Sequence, residues 1–252
     1  MENILEVKNI CKDFKVEGGA LMREAGVVHA LTNVSFTVKE FDSVGIAGES
    51  GSGKTTLAKI ILKLILPTRG EIIFNEQLIR NLRKDVQIIF QNPYNSLNPK
   101  MRVYDAIAEP LVIHAIIPRK KIKERVCDLL QMVGLQQKMS ARFPAEFSGG
   151  QRQRICIARA LACEPRLLVL DEPLSSLDLI IQSQLLDLFL ALKEKLKLTY
   201  VLISHNLAVI KNITHSVVVM QQGEIVENEP TTEIFSHPRH LYTQKLLAAA
   251  RE

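Results

Sequence analysis

The spacing of apolar residues along this chain changes several times, and each change marks an element. Ile4–Ile10 alternates apolar and polar positions and Val34–Val38 does so again, the two-residue period of half-buried strands. Together they predict an antiparallel sheet at the start of the chain. Between them, Val16–Val28 holds Gly18-Gly19 and mixed charges and reads as a loop or hairpin excursion. Val44–Ala47 is a short apolar strand; a glycine-rich turn follows, and then Thr56–Leu66 places Leu57, Ile60, Ile61 and Leu64 at helical spacing.

Beyond the strand-like Val86–Phe90 the rhythm becomes helical. From Asn92 to Pro165, proline-punctuated loop gives way to helices over Val103–Ile113 and Ile122–Val133 with no strand between them, which predicts a helical insertion. Leu167–Leu170 and Tyr200–Ile203 are continuous apolar runs of the buried parallel type. The helix separating them buries Leu185, Phe189, Leu192 and Leu196. Ser216–Met220, the turn Gln221-Gln222-Gly223 and Glu224–Glu227 predict a closing hairpin, and Leu241–Ala250 a helical tail.

The pattern therefore predicts an α/β fold: a mixed or parallel core sheet, an N-terminal antiparallel β part and an inserted helical part. Residues 1–91 and 166–230 form the catalytic core, 92–165 the helical insertion and 231–252 a helical tail. The composition, 47% hydrophobic over 252 residues, is enough to bury a core. No stretch approaches the roughly 20 apolar residues of a membrane helix, so the chain is expected to be soluble and cytoplasmic. Four cysteines, Cys11, Cys127, Cys156 and Cys163, lack C-x-x-C spacing and read as reduced, mostly core residues. The net charge of +5 is spread along the chain, and its densest cluster, Arg119–Lys123, reads as a solvated helix start.

Chemistry enters at Gly48-Glu49-Ser50-Gly51-Ser52-Gly53-Lys54-Thr55, which fits G-x-x-x-x-G-K-[ST] and sits between an apolar strand and an amphipathic helix. Glycines there let backbone N–H groups converge on phosphate oxygens, and the helix offers its positive end to the same charge. Lys54 is expected to reach the β and γ phosphates of ATP, and Thr55 to offer its hydroxyl to Mg2+. A second signal is Leu167–Leu170 ending in Asp171-Glu172-Pro173. Asp171 suits Mg2+ support. Glu172 suits polarising water, provided that it lies at a turn, because neighbours on a regular strand face opposite ways.

With these in place, Phe147-Ser148-Gly149-Gly150-Gln151-Arg152 resembles the L-S-G-G-Q signature of ABC ATPases, with Phe147 for the usual leucine. Ser148 and the glycines precede a helix carrying Ile155, Ala158, Leu161 and Ala162, a second anion site or an ordinary cap. The resemblance covers essentially the whole chain and implies a core sheet of the P-loop NTPase kind and further residue roles. Gln91 is similar to the glutamine that contacts Mg2+ and the attacking water. Ser175-Ser176-Leu177-Asp178 resembles the D-loop, His205 the switch histidine, and Phe14 the aromatic residue against adenine. Thr56 joins Gly48–Thr55, Gln91 and Asp171 in the implied ATP site, and Thr55, Gln91 and Asp171 are the implied Mg2+ ligands. In that family the signature completes the phosphate loop of another chain in a head-to-tail dimer.

Phe90–Pro99 and His237–Thr243 resemble the peptide and nickel importer branch. That resemblance implies a second ATPase subunit, the same chain or a homologous one, two membrane permeases, an extracytoplasmic binding protein, a place at the cytoplasmic face of the inner membrane, and no nucleic acid. Its cargo would be a dipeptide, oligopeptide, nickel or a metal–chelator complex. Peptide members often carry a C-terminal extension with clustered cysteines; the sequence ends at Glu252 without one, which leans the expectation toward nickel or metallophores. A DNA-repair or chromosome ATPase is the rival, but such proteins usually hold long coiled coil between the two halves.

Overall fold

The computed structural model describes residues 2–16, 26–175 and 177–249. In chain order they form β1 (Asn3–Val16), β2 (Gly26–Lys39), β3 (Ser43–Ala47), α1 (Lys54–Ile61), β4 (Arg69–Phe74), α2 (Leu82–Asp85), β5 (Val86–Ile89), α3 (Pro93–Ser96), α4 (Val103–Ile113) and α5 (Ile122–Met132). Then come α6 (Gly149–Ala162), β6 (Leu167–Asp171), α7 (Leu179–Leu196), β7 (Thr199–Ile203), α8 (Leu207–Ile213), β8 (Ser216–Gln221), β9 (Glu224–Pro230), α9 (Thr231–Ser236) and α10 (Leu241–Ala249). Two compact units result, Met1–Ile79 with Thr199–Glu252, and Arg80–Leu198.

In the first unit, β1 pairs antiparallel with both β2 and β4. The strands run past the predicted Ile4–Ile10 and Val34–Val38, pairing as far as Val16 with Gly26, so both ends of the expected Val16–Val28 loop are strand; residues 17–25 lie outside the described set. The physical reason is a break in register between Val7 and Ile10, where Asn9 takes a left-handed φ of 50° and its N–H donates to Ser35 Oγ at 2.8 Å. One extra residue there moves the following side chains to the other face, which hides the strand from a two-residue pattern.

The same unit holds β3 between β7 and β8, parallel to each, with β9 returning antiparallel on β8. All five residues of β3 and of β7 are buried, as continuous apolar runs predict. The turn between β8 and β9 uses Gln222 and Gly223 at φ of 48° and 86°, the paired positive values of a tight hairpin. Helix α1 stops earlier than the predicted Leu66. Lys63 is left-handed at φ 52° and Leu64 N–H reaches back to Lys59 O at 2.9 Å, a Schellman closure that leaves Leu64 48% exposed rather than buried.

In the second unit β5 and β6 pair in parallel, and α4, α5 and α6 occupy the expected helical stretch. Leu185, Phe189 and Leu192 of α7 are buried, whereas Leu196, one residue before the left-handed Lys197, is 37% exposed, contrary to the periodicity. Cys11, Cys156 and Cys163 are buried thiols and Cys127 is half-buried. No helix among the described residues is long and apolar enough to cross a membrane.

Candidate functional site

The loop Gly48–Thr55 joins the carboxyl end of β3 to α1. Gly48, Gly51 and Gly53 have φ of 149°, 85° and 100°, values that side chains resist. At two of them space is also denied: a Cβ on Gly48 would lie 2.3 Å from Met220 O, and one on Gly53 would lie 2.6 Å from Ala30 O. The loop curls around the Lys54 ammonium, which donates to Gly48 O at 2.8 Å and Glu49 O at 2.7 Å, with Ser52 Oγ at 3.4 Å. Lys54 is 4% exposed, a buried cation gripped by two loop carbonyls, and a phosphate oxygen would offer it a stronger acceptor. No side chain caps the first turn of α1, where Thr55 and Thr56 lie, and Ser50 is exposed in the loop. Tight glycines, an uncapped helix start and an enclosed lysine fit a phosphate chain.

Parallel pairing places a second predicted residue at the same edge. Ile46 pairs with Ile203, so Gly48 and His205, two positions on, leave neighbouring strands together; Ser204 N–H donates to Ile46 O at 3.2 Å. Asn206 caps α8 by accepting from Ala208 and Val209 N–H, which fixes the backbone after the exposed His205. Phe14 stands on β1 opposite Val28, 41% exposed, with Lys12 Nζ 5.0 Å from its ring centroid. A flat, half-open face of this kind suits stacking.

The second unit repeats the arrangement at its own strand ends. Ile89 pairs with Leu170, so Gln91 and Glu172 emerge side by side, and Gln91 Nε2 donates to Glu172 Oε2 and to Ser175 Oγ, both at 3.1 Å. Asp171 ends β6, 6% exposed. Glu172 does lie at a turn, the condition on which the sequence reading of it as the water-polarising residue depends, and more sharply than Pro173 alone dictates: its φ is 48°, left-handed for a residue with a side chain. Ser175 closes the turn, its N–H and hydroxyl both directed at Glu172 O at 3.3 and 3.1 Å.

At the signature, Ser148 Oγ accepts from Gln151 N–H at 3.3 Å while Gln151 Oε1 accepts from Ser148 N–H at 3.1 Å. This capping box anchors the start of α6. Phe147 is buried beneath the Arg142 guanidinium, 4.9 Å from its centroid. The glycines permit close packing: a Cβ on Gly150 would come within 2.5 Å of Ile181 Cγ2, and one on Gly149 within 3.2 Å of Leu177 Cδ2. Asp178 caps α7 through Ile181 N–H at 3.0 Å. Gln91, Ser148, Gly149, Gly150, Leu177 and Asp178 line one cavity of about 750 Å3, so glutamine, signature and D-loop are brought together; Ser176 lies outside the described residues.

Sequence reasoning passed over two residues here. Arg152, 8% exposed in α6, stacks on Tyr94 at 3.7 Å, bonds its hydroxyl and donates to Pro144 O at 3.2 Å. Two turns along the same helix, Arg159 bonds Ser96 O. The signature helix thus grips the segment that follows Gln91 by two arginines on one face. The available signal was Tyr94, an aromatic residue within the Phe90–Pro99 branch segment.

A family model described as ABC transporter matches residues 31–175. The chain is 45% identical over 98% of its length to the glutathione import ATP-binding protein GsiA of Escherichia coli and of Shigella boydii, and spans 41% of the length of those relatives. Among solved structures it resembles cbiO1 of Clostridium perfringens, part of the ABC transporter complex cbiONQ, with a TM-score of 0.76 and 26% identity over 94% of this chain and 92% of that one. It also resembles the ATP-binding cassette MJ0796, solved as a dimer in a post-hydrolysis state with ADP and phosphate. There the TM-score is 0.75, with 28% identity over 90% of this chain and 98% of that one. The chain belongs to the ABC transporter family.

Proposed function

We propose that this chain binds and hydrolyses ATP as an energising subunit of an import system, and that its cargo is a small peptide-like molecule of the glutathione kind. The observation that carries the hydrolytic reading is the contact of Gln91 with Glu172 at a left-handed turn. A carboxylate on strained backbone, its oxygen held by the Gln91 amide and its main-chain carbonyl by Ser175, is an oriented acceptor for a water proton. Lys54 and the loop amides would hold the phosphates and Phe14 the adenine. Thr55, Gln91 and Asp171 are the proposed Mg2+ ligands by their chemistry, and the ion they would hold would supply positive charge against the negative charge of the phosphates. His205 would steady the γ-phosphate.

Partnership is part of the proposal. The capping box at α6 takes up the Ser148 and Gln151 N–H groups, and the Gly149 and Gly150 N–H groups between them, beside the D-loop, would meet a second chain's phosphate. Leu179 and Ile180, next to Asp178, are 80% and 72% exposed, apolar surface that a partner would cover. Two permeases and an extracytoplasmic binding protein would complete the system, with this chain at the cytoplasmic face of the inner membrane. Glutathione import by the relatives supports a peptide-like cargo; nickel, toward which the sequence leans, has no such support.

Glu172→Gln keeps an oxygen for Gln91 but removes the base, so turnover is expected to fall by about a hundredfold or more while ATP still binds. Unchanged turnover refutes the assignment. For the cargo, the complex co-purified with its membrane subunits and placed in vesicles should show ATPase activity stimulated by glutathione and its binding protein; stimulation by nickel alone would reverse the choice.

A further inference from the structure

The segment His237–Thr243 marks a branch of the family, but its sequence says nothing of what it does. In the structure it is pinned at one end and touches the phosphate loop at the other. Glu227 of β9, 8% exposed, accepts from Arg239 N–H at 2.9 Å and His240 N–H at 3.1 Å. Arg239 also reaches Glu229, its guanidinium 3.1 Å from the carboxylate. These bonds hold the entry to α10, whose second residue, Tyr242, is 8% exposed. The Tyr242 hydroxyl accepts from Glu49 N–H at 3.0 Å.

That N–H belongs to the same peptide group as Gly48 C=O, and Gly48 C=O accepts from Lys54 Nζ at 2.8 Å. One peptide plane is therefore held on both sides, by the tail through its N–H and by the loop lysine through its carbonyl. Were it to rotate, Lys54 would face an N–H instead of an oxygen. The plane also sits where Gly48, at φ 149° against Met220 O, has the least freedom to compensate.

We propose that Tyr242 is a positioning residue of the phosphate loop: its hydroxyl fixes the Gly48–Glu49 peptide, and through it the seat of Lys54. The proposal rests on the reading of Gly48–Thr55 as the ATP site. It gives the tail a task in nucleotide binding, carried by one oxygen atom and supported by the Glu227 clamp.

The test uses the purified full chain and a fluorescent ATP analogue with Mg2+. Tyr242→Phe keeps the ring and removes the hydroxyl. Affinity should weaken roughly five- to tenfold, the worth of one hydrogen bond. The KM for ATP should rise further than kcat falls, and amide exchange should quicken in residues 47–50 but not in β8. Should Tyr242→Phe fold poorly, Glu227→Gln loosens the clamp while leaving the hydroxyl in place, and a smaller loss of affinity in the same sense is expected. Affinity within twofold of the parent in the folded variant, while Lys54→Ala abolishes binding, overturns the role of Tyr242 and leaves the site reading intact. Lys54→Ala binding as tightly as the parent overturns both.

Discussion

Replacing Gly48 by alanine measures how much of the loop's shape is imposed by its neighbours rather than by its own backbone. Two costs add at this position. Alanine at φ 149° leaves its favoured region, about 1–2 kcal/mol for a left-handed residue. Its Cβ would also lie 2.3 Å from Met220 O, about 0.7 Å inside the 3.0 Å that real contacts keep. Met220 O cannot retreat, because β8 is paired on one side with β3 and on the other with β9. Forcing such an overlap costs about 1–3 kcal/mol more. Gly51 is the control: its φ is 85° but nothing stands within 4 Å of an added Cβ, so only the backbone term applies. At about 2–4 °C per kcal/mol for a chain of this size, the nucleotide-free thermal midpoint should drop by roughly 5–15 °C in Gly48→Ala and by less than half that in Gly51→Ala. Equal drops in the two variants would refute the claim that β8 shapes the loop.

Gly150→Ala should destabilise through Ile181, and because the neighbour is a side chain, Ile181→Ala in the same chain should restore much of the loss in a double-mutant cycle; purely additive losses would deny the contact. Burial pushes Glu227 upward, but the Arg239 N–H, the neighbouring Thr243 hydroxyl and the His240 N–H together outweigh it and hold the carboxyl below its usual 4.5. A carboxylate depressed in this way stabilises the folded chain above that value and ceases to as pH falls through the folded pKa. The stability gap between the parent and Glu227→Gln should accordingly close in acid melts below pH 4.5, and a gap that widens there contradicts the clamp. Burial pushes the Cys156 and Cys163 thiols up to about 11, so at pH 8 an alkylating reagent should label Cys127 before either, as read by peptide mass mapping.

What the sequence disclosed and what it hid divide along a physical line. Residues whose role depends on local order were legible: the glycine spacing before Lys54, the acids at the end of β6 and the buried strands β3, β6 and β7 all express themselves in neighbouring positions. Features set by distant neighbours were not. The bulge at Asn9 conceals the second half of β1, and β4, half exposed and, among the described residues, paired along β1 alone, has no period to announce it. The left-handed Glu172 is invisible because glutamate gives no hint of positive φ. Tyr94 and Tyr242 were both in view as letters of a branch pattern, yet their partners, Arg152 and Glu49, lie 58 and 193 positions away.

This division bears on how variants of the site are interpreted. Ser148 caps α6, Asp178 caps α7 and Gly48 fits against β8, so these three residues, which the family pattern assigns to nucleotide or partner, also close pieces of the fold. An alanine at Ser148 or Asp178 removes a cap, about 1 kcal/mol of stability, before any effect on ATP is counted. Replacements that keep capping but change the ligand chemistry, Ser148→Asp and Asp178→Asn, separate the two. An added negative charge at the start of α6 should repel a partner's phosphate while leaving the helix intact, and a loss of activity at unchanged thermal midpoint then reports on binding alone.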